Sequence, residues 1–280
     1  MGPEMRRIKP KIGSDVIAHP RELVSGAFAR ELRALLIERG VLVFRDLDIT
    51  LGQQRDITAT LGCLRAGAGE GLQKVTLDTN ESPEYAAYFP GTLFWHIDGH
   101  YDQKVPCFGA TMRPVRLTSK GGQTQFLNTY AAYEDLPNDE KHVLDGLRVV
   151  HSRQASMLRA FPDATAEQVL KWLREPPAVQ PLIWQHESGR KSFYLGNSAS
   201  HIEGMHPADS FDLITRLRCH ITQEQYVYTH EWRMGDLLAW DNTGTMHRAR
   251  PFSPSSDRLL HRFTLEGEEP IRAPVECRSG

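Results

Sequence analysis

The stretch FWHIDGHYD, residues 94–102, holds His-x-Asp twice, at His96-Ile97-Asp98 and at His100-Tyr101-Asp102. A chain with twelve histidines carries one such tripeptide by chance often enough that a single copy says little. Two copies in nine residues raise the question of a metal site, and of which pair holds the metal. On an extended strand residues i and i+2 point to the same face, so either pair sets an imidazole and a carboxylate side by side. A third ligand must come from elsewhere, and His247, in WDNTGTMHRAR (240–250), stands near the start of a later expected strand. Two His and one carboxylate on one side of a metal form a facial arrangement that suits Fe(II) and leaves positions open for a chelating co-substrate and for dioxygen.

Working outward, the segments TLFWHID (92–98), CFGATMRPV (107–115) and QTQFLNT (123–129) read as short strands bounded by Gly or Pro. Strand patterns return at PLIWQH (181–186), KSFYLG (191–196), QYVYTHEW (225–232), DLLAWDN (236–242), MHRAR (246–250) and RLLHRFTLE (258–266). Before the metal motif, Val24, Phe28, Leu32, Leu35 and Leu36 give residues 21–39 the stripe of an amphipathic helix, with Pro20 at its entry and Gly40 at its exit. That helix feeds a short strand, VLVF (41–44), and a second helix is expected after Thr50. Residues 66–91, rich in Gly, Asn, Ser and Pro, read as a long irregular segment of the kind from which active-site lids are drawn. Helices are expected near 134–146, at 164–174 ahead of Pro176-Pro177, and at 207–220. Many short strands with helices between them predict a mainly β fold, a two-sheet sandwich or jelly roll with helical insertions, as one domain over residues 1–280.

Composition narrows the function classes. Net charge is −2 and, apart from MRRIKPK (5–11), the basic residues are scattered, so no basic stripe tracks a phosphate backbone and nucleic acid is not an expected partner. No apolar run approaches the roughly 20 residues that span a bilayer, and the polar N-terminus lacks the apolar core of a signal peptide, so the expectation is a soluble, cytoplasmic protein with no membrane partner. Cys63, Cys107, Cys219 and Cys277 stand far apart with no Cys-x-x-Cys, which argues for ordinary thiols rather than disulfides or a structural zinc site.

Taken in order, FWHID, GGQTQF, LLAWDN, MHRARPF and RLLHRFTL resemble the taurine and 2,4-dichlorophenoxyacetate dioxygenase family, Fe(II)- and 2-oxoglutarate-dependent oxygenases built on a double-stranded β-helix. The likeness covers roughly residues 20–270, and GRKSFYLGNSASHIEGM (189–205) is similar to the phenoxyacetate branch. The resemblance implies His96, Asp98 and His247 as metal ligands, since the family's first pair follows a Trp as Trp95 stands here. Gly99 then lets the chain turn away, and His100 and Asp102 fall at the pocket mouth. Arg258 and Arg262 share a strand face and stand eleven and fifteen residues after His247, the family's own spacing. By that likeness Arg258, with the Thr124 hydroxyl, anchors the distal carboxylate of 2-oxoglutarate, and Arg262 lies nearer the iron-bound carboxylate or the substrate acid. One departure is Thr243, where the family has Arg directly after Trp-Asp-Asn.

For the substrate, the resemblance implies a small anionic molecule, with Lys74, Ile97, His100 and His201 as candidate contacts. Taurine-type members hold the sulfonate with a His that LGCLRAGAGEGLQK (61–74) lacks, which favours an aryloxyalkanoate or another organic acid. The implied reaction is hydroxylation with dioxygen, giving succinate and CO2, with ether cleavage where the hydroxylated carbon bears an ether oxygen. No catalytic residue beyond the metal centre is expected, and a homo-oligomer is compatible with the reading. Alternatives are a sulfonate-type or natural-product-tailoring oxygenase, a zinc hydrolase, which has no use for the Arg258–Thr124 anchor, and a non-catalytic cupin-like binding protein. A halogenase needs a small residue in place of Asp98 to make room for chloride.

Overall fold

A computed structural model describes residues 2–67 and 71–274. A seven-stranded sheet runs in the order β1 (Glu4–Arg7), β2 (Ser14–Ile17), β3 (Val41–Phe44), β13 (Leu237–Asp241), β5 (Gly109–Arg116), β15 (Leu259–Thr264) and β4 (Gln73–Val75). Its neighbours are antiparallel except β2 and β3. Against it packs a three-stranded sheet of β12 (Val227–His230), β6 (Thr124–Asn128) and β14 (Thr245–Ala249).

The alternation in VLVF shows how the layers assemble. Val41 and Val43 enter the inner core with Met112, Leu238, Trp240 and Leu260 of their own sheet and Phe126 of the smaller one. Leu42 and Phe44 point the other way, against Leu32 and Leu36 of α2 (Ala29–Arg39) and Ile57 and Leu61 of α3 (Leu51–Leu61). On β6 the same period sends Phe126 inward and Leu127 outward, beneath Leu217 and Ile221 of α9 (Pro207–Ile221). Each such side chain taken from water contributes about 1.5–3 kcal/mol, and a one-residue slip would turn the whole set over, so packing fixes the register. Two stacked sheets with helices outside make a jelly roll. A further sheet, β11 (Ala199–Ile202), β7 (Arg148–His151) and β8 (Ala178–Pro181), and a hairpin, β9 (Ile183–Gln185) with β10 (Lys191–Phe193), belong to the inserted region.

Several helix expectations hold in detail. Thr50 caps α3, its hydroxyl accepting from Gln53 N at 3.2 Å while the Gln53 side chain accepts from Thr50 N at 2.8 Å. α9 covers the expected 207–220, and α8 (Ala166–Leu173) lies within 164–174. The helix expected over 21–39 is instead two, α1 (Pro20–Val24) and α2, because Gly26 takes φ 73°, a left-handed conformation that ends the first helix. The span 134–146 is divided between α5 (Thr129–Glu134) and α6 (Asn138–Asp145), with Pro137 at the break.

Two differences bear on the site. Residues 83–91, expected as irregular chain, and Thr92, expected to open a strand, form α4 (Pro83–Thr92), and an unexpected helix, α7 (Arg153–Ala160), follows β7. FWHID is not a strand, and within it only His96 pairs, through an isolated bridge to His247. Cys63, Cys107 and Cys219 are free thiols, while Cys277 lies outside the described residues. Among the described residues no helix is long and apolar enough to cross a membrane.

Candidate active site

His96 and His247 are joined through the main chain before their side chains meet. His96 N donates to His247 O at 3.0 Å and His247 N to His96 O at 2.9 Å, so the imidazoles emerge side by side with ring centroids 4.3 Å apart. His96 Nδ1 contacts the Phe94 carbonyl at 2.8 Å, which fixes the proton there and turns Nε2 toward Asp98 Oδ1 at 3.9 Å. His247 Nε2 lies 3.3 Å from Asp98 Oδ2. The ligating atoms of the three lie within 4.8 Å of one another, a spacing that one ion can bridge, and among the described residues this is the cluster able to hold a metal.

Asp98 is positioned through its own backbone. Asn242, at the end of the Trp-Asp-Asn sequence, accepts from Asp98 N at 2.8 Å and donates from Nδ2 to Asp98 O at 3.1 Å and Cys107 O at 3.0 Å. Gly99 then takes φ 117°, and a Cβ there would stand 2.2 Å from Gln103 Oε1, so the turn away from the site requires glycine. Beyond it, His100 Nδ1 pairs with Asp102 at 2.6 Å and Nε2 faces Glu175 at 3.6 Å, with all three side chains at least 41 % exposed.

The electrostatics suit a cation. Burial, with the His247 charge beside it, pulls His96 down to about 4, so this imidazole is neutral and free to ligate. Burial acts to raise Asp98, but the Arg262 and His247 charges outweigh it and hold the carboxyl well below its usual range. Arg262 meets Asp98 with both arms of its fork, Nη1 to Oδ1 at 3.1 Å and Nη2 to Oδ2. The expectation placed Arg262 nearer the iron-bound carboxylate or the substrate acid; here its fork lies on Asp98.

Arg258 is 3 % exposed just before β15, with Nη2 donating to Gly122 O at 2.9 Å and its guanidinium 4.7 Å from the Phe252 ring. Its Nε is buried with no partner, and among the described residues no carboxylate bonds to it. Thr124, two residues beyond Gly122, is also buried, and its hydroxyl accepts from Trp232 Nε1 at 3.0 Å. A buried guanidinium without a counter-charge is costly unless an anion completes it, so these residues fit a co-substrate carboxylate.

A cavity of about 190 Å³ opens on His96 and Asp98, with Arg262 in its wall. Tyr85, Tyr88 and Thr92 of α4 line it together with Ile97 and His100. Its deeper wall holds His151, lowered to about 3 by burial and the Arg218 and Arg159 charges, with Nδ1 at 2.9 Å from Ser198 Oγ. Arg153, the first residue of α7, also lines it, with Nε buried and no side-chain partner among the described residues. Neither α4 nor Arg153 is foreseen from the sequence, because nothing local in His-Ser-Arg says that β7 ends at this cavity.

Two candidate substrate contacts fall elsewhere. Lys74 on β4 pairs with Glu81 at 3.1 Å and lines a different cavity, drawn away because β4 joins the edge of the large sheet beside β15. His201 is exposed on β11 beside Ser200, where the pairing with β7 shifts register, and does not line the site. Thr243 keeps the turn closed without the family's Arg: its N–H and hydroxyl both donate to Asp241 Oδ1 at 2.7 Å. Asp241 Oδ2 is buried and unpartnered, and burial raises that carboxyl.

The comparisons with known proteins agree with this site. The chain is 32% identical over 263 residues to the alpha-ketoglutarate-dependent 2,4-dichlorophenoxyacetate dioxygenase of Cupriavidus pinatubonensis, covering 87% of this chain and 90% of that protein. It is 30% identical over 250 residues to the (S)-phenoxypropionate/alpha-ketoglutarate-dioxygenase of Sphingobium herbicidovorans, covering 85% and 86%. The crystal structure of AAD-2 in complex with Mn(II) and N-oxalylglycine superposes with a TM-score of 0.80 at 29% identity, covering 97% of this chain and 100% of that one. The model of the taurine catabolism dioxygenase TauD, TfdA family matches residues 4–264, from β1 through β15 and across every residue of the site, and the chain belongs to that family.

Proposed function

We propose that this chain is an Fe(II)- and 2-oxoglutarate-dependent dioxygenase that hydroxylates a small aryloxyalkanoate-like carboxylate. The observation that carries the reading is the buried Arg258 without a counter-charge, four residues before the Arg262 that holds Asp98 of the His-Asp-His cluster. A zinc hydrolase has no use for that cation. His96, Asp98 and His247 would hold the iron, and Arg258 and Thr124 the far carboxylate of 2-oxoglutarate. Bound iron with 2-oxoglutarate supplies the activation of dioxygen, one oxygen atom entering a substrate C–H bond and the other succinate, with CO2 released.

The protein's own part is placement. Arg262 keeps Asp98 ionised and oriented, and Asn242 fixes the backbone that carries it. Arg153 takes the substrate acid as a charge-assisted pair, while Ile97, Tyr88 and Tyr194 give the body an apolar wall. His151 is neutral and, at about 3, a poor base near neutrality, so the chemistry rests on the metal centre. A hydroxylated carbon that bears an ether oxygen collapses, and the product is then a phenol and an oxo acid. A cytoplasmic setting supplies both Fe(II) and 2-oxoglutarate. The family's sulfonate branch is the second reading.

The test is a screen of aryloxyalkanoates, alkylsulfonates and sulfate esters for stimulated succinate formation by the anaerobically Fe(II)-loaded chain. An aryloxyalkanoate should stimulate most, with Arg153→Gln raising its KM at least about tenfold. Stimulation by taurine alone would move the chain to the sulfonate branch, and no succinate with any acid would reject the reading.

A further inference from the structure

Gly196 and Asn197 line a second cavity as well as the first. It measures about 410 Å³, within the range of small-molecule pockets, and Phe94, Trp95, Leu195, Ile221 and Met246 make its walls apolar. Two cations stand in that setting, Arg159 on α7 and Arg218 on α9. Arg159 Nη1 donates to Asn197 O and Nη2 to Ala199 O at 3.0 Å, and Arg218 Nη2 reaches Gly196 O at 3.4 Å and Ala199 O at 3.3 Å. Two guanidiniums thus converge on one carbonyl oxygen, with like charges close together.

No acidic side chain lines this cavity, and none among the described residues bonds to either arginine. Burial lowers both, and Arg218, with Arg159 beside it, falls to about 10. Arg218 Nε and Nη1 have no partner among the described residues. Holding three carbonyls does not require two adjacent half-buried charges, since neutral amide donors would serve at lower desolvation cost. A paired positive head above an apolar hollow is complementary to a negative head on an apolar body.

We propose that this cavity binds an organic monocarboxylate with an apolar chain, its carboxylate between Arg159 and Arg218 and its body against Trp95, Leu195 and Met246. The site is separate from the substrate-acid contact at Arg153, and the test keeps the two apart. The chain, loaded with Fe(II) and 2-oxoglutarate under nitrogen, is titrated calorimetrically with octanoate and with octanol. Octanoate should bind saturably, at least about tenfold more weakly in Arg218→Gln, and with little change in Arg153→Gln, while octanol should bind far more weakly. Crystals soaked in 8-bromooctanoate should show bromine beside Trp95, a readout on the unaltered chain that stands if Arg218→Gln fails to fold. Octanoate binding lost in Arg153→Gln but kept in Arg218→Gln, equal binding of octanol, bromine in the catalytic cavity, or no saturable binding would each overturn the proposal.

Discussion

Asp98 is held from several sides: by the Arg262 fork, by two imidazoles facing its carboxylate, and by Asn242 on its main chain. His96→Ala, Asp98→Ala and His247→Ala should each abolish tight Fe(II) binding, whereas His100→Ala and Asp102→Ala should retain it, as read by anaerobic iron titration. Equal iron loss from His100→Ala would move the metal to the second pair. Asp98→Ala also strands Arg262, and breaking one side of a buried pair costs about 3–5 kcal/mol, so its melting temperature should fall as that of Asp102→Ala does not. Arg258 is legible through the family resemblance, which sets an Arg eleven residues after His247, while its lack of a counter-charge is visible only in three dimensions. Arg258→Ala should raise the 2-oxoglutarate requirement tens-fold or more, consistent with about 2–5 kcal/mol for a buried charge pair, and leave iron binding intact. An unchanged requirement would leave the anchor unassigned.

At the scale of elements, strand periodicity found β3, β5, β6 and β12 through β15, because each alternates between two cores and the pattern is written in consecutive side chains. FWHID deceived it. Its apolar residues look strand-like, yet they follow α4 directly and touch β14 at one residue, so the ligand geometry comes from a bridge and a turn rather than from strand alternation. Helix α4 was hidden by Pro83, Pro90 and Gly91, residues that read as loop although Pro83 sits at a first-turn position where helices accept it. The importance of Asn242 was equally out of view, since its partners Asp98 and Cys107 lie far off in sequence. Asn242→Ala should cost about 1–3 kcal/mol of stability by leaving those groups unpaired, and lower iron affinity about 10–100-fold, measured by urea unfolding and metal titration. Unaltered iron affinity would show that the turn holds Asp98 without it.

Over the whole molecule, the two-sheet plan was readable because both sheets share one period, whereas the convergence of α4, α7 and the 196–198 loop on one cavity depends on packing between distant segments. Two of the buried histidines, His151 at this cavity and His230 on β12, are fully shielded from solvent. His151 is lowered to about 3 and His230 is also lowered by burial, so the unfolded chain, titrating near 6.5, takes up protons first as the solution is acidified. Stability is therefore fully present above pH 6.5 and declines below it, by at most about 1.4 kcal/mol per pH unit for each histidine, until the folded form titrates. Unfolding midpoints from pH 7.5 to 5 should fall accordingly, and His151→Gln should flatten the slope. The reciprocal backbone pair of His96 and His247 has a dynamic consequence as well. Each amide hydrogen is shielded by the other residue's carbonyl, so neither can meet deuterium unless the 96 and 247 segments part, and a single opening event releases both. Their isotope exchange should keep one common clock, slowed in step when an ion ties the two rings together, which makes this pair of amides an internal gauge of how often the centre comes apart.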